Sequence, residues 1–144
     1  MIRKADTSDL PVLAELALKL WPEHAMEDLT AEFAEILETK DAAFFLAREE
    51  GRYLGFAQCQ LRRDYVEGTE SSPVGYLEGI FVEESGRGRG IAKGLLSACE
   101  AWTKEQGCME FASDCELANT DSLNFHLHMG FTEANRVICF TKKL

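Results

Sequence analysis

Helix-type and strand-type segments follow one another along the 144 residues in the order β-α-α-β-β-β-α-β-α-β, and that order predicts an α+β fold. Three observations carry it. Apolar stripes of helical period recur at 10–20, 29–37 and 91–106; apolar or alternating runs occupy 43–48, 53–61 and 74–82; and a glycine-rich turn stands between a strand and a helix at 84–92. The length suits one core, so residues 1–144 are read as one domain.

Residues 2–5 form a short strand, after which Thr7, Ser8 and Asp9 offer cap-type oxygens to a helix whose buried face is Leu10, Leu13, Leu16, Ala17 and Leu20. Trp21-Pro22 breaks that helix. Leu29, Phe33, Ile36 and Leu37 mark one stripe of a second helix. The strands at 43–48 and 53–61 are joined by Glu49-Glu50-Gly51-Arg52, a linker with the composition of a tight antiparallel hairpin. Residues 62–73 are polar and read as a surface loop bordering a cleft, ahead of the strand at 74–82. Ile91, Leu95, Leu96, Cys99 and Trp102 restore helical spacing until Gly107, which suits a left-handed cap. A strand at 108–113, a short helix at 120–129 and a last strand at 136–141 complete the order.

Fifteen basic residues against 25 acidic ones leave a charge of −10, which disfavours a nucleic-acid backbone as partner and favours a cationic one, although an acidic balance also serves solubility. With no apolar run of 18 residues and no signal-type N-terminus, the chain is expected to be soluble, cytoplasmic and free of membrane. Cys59, Cys99, Cys108, Cys115 and Cys139 are odd in number and lack zinc-site spacing, so reduced thiols and no metal are expected.

The most informative stretch is Glu84-Ser85-Gly86-Arg87-Gly88-Arg89-Gly90-Ile91-Ala92. A helix start leaves backbone N–H groups without partners and carries roughly half a positive charge, so a glycine-lined turn at that point cradles an anionic phosphate. Arg87, Arg89 and Lys93 add full charges. Neither the dinucleotide G-x-G-x-x-G context nor the Walker G-x-x-x-x-G-K-[ST] spacing is present.

Arg87-Gly88-Arg89-Gly90-Ile91-Ala92, preceded by its strand, resembles the R-x-x-G-x-G/A signature of GNAT acetyltransferases, and the element order agrees from end to end. The resemblance implies the GNAT fold, a mostly antiparallel mixed central sheet flanked by helices, with acetyl-CoA as cosubstrate. It assigns the main-chain amides of Gly88, Arg89, Gly90, Ile91, Ala92 and Lys93, with Arg87 beside them, to the coenzyme A pyrophosphate. The backbone of Ile80, Phe81 and Val82 would hold the pantetheine arm, and Asn119 would touch the same cofactor. Leu20-Trp21-Pro22, Gly75-Tyr76-Leu77-Glu78-Gly79-Ile80, Glu110-Phe111-Ala112-Ser113-Asp114 and Phe140-Thr141-Lys142-Lys143 are similar to aminoglycoside 6′-N-acetyltransferases of this superfamily. That likeness, over nearly the whole chain, implies an aminoglycoside as acceptor, contacted by Trp21, Tyr65, Glu78 and Asp114. Asn135 stands where an additional acidic residue can occur. A homodimer is implied as well.

Carboxylates and aromatic faces together suit a hydroxyl-rich polycation. Glu78 interrupts an apolar strand, and a bound ammonium would supply the partner such a carboxylate needs. Glu67, Glu70, Glu116 and Glu133 are further candidate acceptors, a solvated surface charge being the alternative reading of each. Direct transfer in a ternary complex is expected, with Glu78 as first candidate base and Asp114 as second. His126 occupies the place where the family carries a tyrosine acid; His24 and His128 have no assigned role. Acetylation of another amine, such as a polyamine or a protein amine, and a non-catalytic acyl-CoA sensor are the competing readings. A cysteine-acyl route through Cys115 is the remaining one.

Overall fold

The computed structural model describes all residues from Met1 to Leu144. Its single sheet has the order β1-β2-β3-β4-β5, with β1 at Ile2–Lys4, β2 at Ala42–Glu49, β3 at Arg52–Arg62, β4 at Val74–Val82 and β5 at Phe111–Ala112. The helices are α1 (Leu10–Leu20), α2 (Met26–Glu38), α3 (Ile91–Glu105) and α4 (Thr120–His128). Pairing is antiparallel from β1 through β4 and parallel between β4 and β5, the mixed, mostly antiparallel sheet expected.

Both faces of the sheet are covered, which explains why β2 and β3 read as near-continuous apolar runs. Phe44, Leu46 and Phe56 face α1 and α2, where they pack with Leu13, Leu16, Leu29 and Phe33. Phe45, Ala57 and Cys59 face α3, whose Leu95, Leu96, Cys99 and Trp102 cover them. Glu50 and Gly51 turn β2 into β3, both with positive φ, the conformation of a two-residue hairpin that follows strand twist. Gly75 lets α3 close onto β4, since a Cβ there would stand 2.3 Å from the Thr103 side chain.

The first helix starts differently in detail. Asp6, not the three residues after it, accepts from the Ser8 amide, and Asp9 returns the capping bond to the Asp6 amide at 2.9 Å. Arg3 donates to both oxygens of buried Asp9, at 2.8 and 2.7 Å, and holds its carboxyl below the usual carboxylate range.

The last predicted strand is absent. Residues 131–144 join no ladder, and β5 is only two residues long where 108–113 was expected. Alternation makes a segment competent to be a strand, but the hydrogen bonds come from a neighbour, and no strand of this chain lies beside 136–141. Val137, Ile138 and Phe140 are consequently exposed.

Candidate active site

Between β4 and α3 the chain makes a short 3-10 turn at Glu84–Gly86 and then a loop in which Gly88 and Gly90 take φ of 74° and 80°. Those left-handed angles are what glycine supplies without a Cβ penalty. Gly90 is the N-cap of α3, so the loop folds its amides over the helix start. The backbone N–H groups of residues 88–93 have no acceptor within the chain. A run of unpartnered amides at the positive end of a helix is an anion site, and its donors suit the oxygens of a diphosphate. Two of the expected cations are turned to other uses: Arg87 donates its Nε to the Val82 carbonyl at 3.1 Å, and Arg89 pairs with Glu49. Lys93 is exposed and has no carboxylate partner.

β4 pairs with β5 only at Gly75 and Tyr76; from Leu77 to Val82 that edge is open while the other stays bonded to β3. In the stretch Ile80-Phe81-Val82 the main-chain groups alternate between β3 and this open edge, so Ile80 and Val82 face the approach to the 88–93 amides, the Val82 carbonyl being taken by Arg87 and the rest ready for an extended amide-bearing chain. Asn119 caps α4, its Oδ1 accepting from the Ser122 amide at 3.0 Å, which leaves its amide nitrogen free.

The acidic side is assembled from separate elements. Gln58 pairs with Gly79 and Cys59 with Leu77, so Glu78 is the extra residue of a β-bulge. A bulge bends the strand and re-aims a side chain, and this one starts just past the point where β4 and β5 part. Arg62, the last residue of β3, grips both Glu78 oxygens, with its Nε at 3.0 Å and Nη2 at 2.6 Å. Its guanidinium carbon lies 3.4 Å from the centre of the Tyr76 ring. The Tyr76 hydroxyl donates to Asp114; burial foremost, and then that hydrogen bond, push the phenol up and keep it protonated. Trp21 closes the neighbouring side, its ring so near Gly79 that a Cβ there would be 2.6 Å away. It also meets Phe56 edge-on at 6.2 Å, so it is packed core and site wall at once.

A cavity of about 640 Å³ opens beyond Asp114, between the 66–69 loop, the end of β5, α4 and the tail. Glu67, Tyr76, Asp114, His126 and Asn135 line it; Trp21, Tyr65 and Glu78 do not, and neither does the 88–93 turn. Tyr65 is exposed, with its hydroxyl 3.5 Å from Glu67, and Asn135 donates to the other Glu67 oxygen at 3.2 Å. The loop and the tail therefore meet at Glu67. Glu116 borders the same cavity, Glu133 is paired with Arg136, and only the main chain of Glu70 is engaged.

His126 has both ring nitrogens engaged. Nδ1 lies 2.7 Å from the Ser122 carbonyl, which only accepts, so a neutral ring carries its proton there and Nε2 accepts from Ser113 Oγ at 2.7 Å. The imidazole orients Ser113, and any proton it delivers to the cavity would pass through that hydroxyl.

Sequence reasoning missed Arg62, Tyr76 and Glu110. Glu110 fastens the 62–73 loop by accepting from the Glu70 and Ser71 amides and the Ser71 hydroxyl, contacts that hold its carboxyl below the ordinary range. For Tyr76 a signal existed: it shares a strand face with Glu78 two residues on.

An anion-binding helix start, a half-open strand edge and an acidic pocket beside it describe an acyl-CoA-dependent transferase of amines. The model of the acetyltransferase (GNAT) family matches residues 10–131, and the chain belongs to that family. Within it, the chain is 43% identical over 145 residues to aminoglycoside N(6')-acetyltransferase type 1 of Serratia marcescens, covering all of this chain and 99% of that one. Its counterpart in Salmonella typhimurium is 42% identical over 142 residues, covering 99% and 98%. Among solved structures, AAC(6')-Iy in complex with the bisubstrate analogue CoA-S-monomethyl-acetylneamine superposes with a TM-score of 0.96 at 42% identity, over 100% of this chain and 98% of that chain. AAC(6')-IG from Acinetobacter haemolyticus gives 0.95 at 37% identity, over 100% and 99%.

Proposed function

We infer that this chain, acting as a single domain, transfers an acetyl group from acetyl-CoA to the 6′-amine of an aminoglycoside antibiotic. The observation that carries the reading is the run of unpartnered amides at 88–93 beside the open edge of β4, with the Arg62–Glu78–Tyr76–Asp114 cluster at the bulge of the same strand. Relatives alike over the whole chain, named for this activity, support the choice of acceptor. The residues fit the cosubstrate: the amides of 88–93 and Lys93 hold its diphosphate, Ile80, Phe81 and Val82 its amide-bearing arm, and Asn119 its flank. When bound, acetyl-CoA supplies the activated acyl thioester.

The chain's own part is binding, orientation and proton removal. Carboxylates of Glu78, Asp114 and Glu67, with the faces of Trp21 and Tyr65 and the amide of Asn135, hold the cationic sugars. Attack needs a neutral amine, and for a reference pKa near 10.4 neutralisation at pH 7 costs about 4.6 kcal/mol at about 1.36 per unit. Glu78 meets that cost as base through a water. A carboxylate has about four lone-pair sites, Arg62 takes two, and the others remain for that water. A free main-chain N–H of the Ile80-Phe81-Val82 stretch polarises the reacting carbonyl, and His126, when its Nε2 carries a proton, can pass it through the Ser113 hydroxyl to the departing thiolate.

Incubation with acetyl-CoA and kanamycin or tobramycin, followed by NMR mapping of the product, is expected to place the acetyl group on the 6′-nitrogen. Turnover of spermidine or a peptide amine with no aminoglycoside acetylated would overturn the reading. We also assign the chain to the cytoplasm as a homodimer. Its cysteines form no disulfide, and the exposed Val137, Ile138 and Phe140 lie in a strand-type segment whose pairing partner a second copy can provide. Sedimentation is expected to give twice the chain mass, and Ile138→Asp with Phe140→Asp to give a folded monomer; a monomeric parent would refute the dimer.

A further inference from the structure

The proposed base does not stand free: Arg62 holds it. A surface ion pair is ordinarily worth little, because two flexible side chains are ordered for a screened attraction. This one is different in construction. The fork is bidentate, the guanidinium lies on the Tyr76 ring, and the same ring carries the hydroxyl that donates to Asp114. A single cation therefore touches Glu78 directly and reaches Asp114 through one aromatic ring. Arg62 does not line the cavity beyond Asp114, whose charged lining is mostly acidic: Glu67, Glu100, Glu110 and Glu116 border it together with His126, and the cation there, Arg136, is paired with Glu133.

From these contacts we propose that Arg62 is a positioning and specificity-determining residue: a resident cation that fixes the Glu78 carboxylate and cancels one of the two negative charges flanking the acceptor amine. The proposal rests on the acceptor site described above. Two uncompensated carboxylates would bind an ammonium tightly and keep it protonated, and a protonated amine has no lone pair with which to attack. Binding energy spent on that ground state raises affinity and lowers turnover. With Arg62 in place the cluster retains enough negative charge to attract a polycation without locking the reacting nitrogen in its charged form. The proton then leaves for Glu78, whose orientation the fork sets.

The test is Arg62→Gln beside Arg62→Lys, each assayed across pH with tobramycin and acetyl-CoA, and titrated with tobramycin alone by calorimetry. Loss of an opposite charge at contact distance moves a neighbouring pKa by about 1–3 units. Arg62→Gln is expected to raise the midpoint of the kcat–pH profile by about one unit and to lower kcat at pH 7 about tenfold, while tobramycin binds several-fold tighter and KM falls. Arg62→Lys, which keeps the charge and loses the fork, is expected to restore the midpoint but not the full kcat. A merely structural pair would lower thermal stability and leave midpoint and affinity unchanged; that result in an active parent overturns this proposal alone. A parent enzyme that neither binds nor acetylates tobramycin overturns the acceptor site and this inference with it.

Discussion

Replacing Gly90 by valine is expected to weaken coenzyme A binding by about 10- to 100-fold while leaving the chain folded. Gly90 holds φ of 80° at the N-cap of α3, and a β-branched residue is a genuine outlier there. To escape that region the loop must rotate, and the rotation swings the amides of 88–93 away from a common centre. Charge-assisted hydrogen bonds contribute about 1.5–3 kcal/mol each, and about 1.4 kcal/mol is tenfold in affinity, so losing one or two accounts for the range. No atom lies within 4 Å of a Cβ built at Gly90, so the fold suffers only the backbone strain. Gly107, at the opposite end of α3 with φ of 85°, is the matched control. Gly107→Val is expected to cost similar stability and no coenzyme A affinity. Calorimetry with coenzyme A reads the difference; equal binding by parent and Gly90→Val would remove the diphosphate site from the loop.

That loop was visible in the sequence because everything it needs is local. Glycines, helix start and preceding strand lie within a few residues, and the amphipathic stripes of α1, α2 and α3 are likewise one-dimensional signals. What stayed hidden depends on register and on partners remote in sequence. The bulge at Glu78 arises from a one-residue mismatch between β3 and β4, which neither strand displays by itself. Arg62 looked like the first polar residue of a loop; only the antiparallel pairing of β3 with β4 carries it to Glu78, 16 residues away. Tyr76 and Asp114 meet because β5 lies parallel to β4, a crossover that α3 spans. The segment 136–141 shows the opposite error: its alternation is genuine, yet it pairs with no strand of its own chain.

The largest effect is expected from Glu78→Gln. General base catalysis contributes typically about 10²- to 10⁴-fold, and an amide cannot take up the proton, so kcat/KM for tobramycin should fall at least about 100-fold. Coenzyme A affinity should not change, because the 88–93 amides lie on a different segment. The substitution also affects Arg62: a glutamine offers one acceptor where the fork has two donors, and its own N–H₂ group faces the guanidinium. Part of the loss would then come from a displaced cation rather than a missing base. The double variant Arg62→Gln with Glu78→Gln separates the two, since residues in one network give non-additive effects. If Glu78 removes the proton, the double variant stays as slow as Glu78→Gln alone. Recovery to within a few-fold of the parent would assign the base elsewhere, with Asp114 next in line because Tyr76 already delivers a hydrogen bond to it from the same strand.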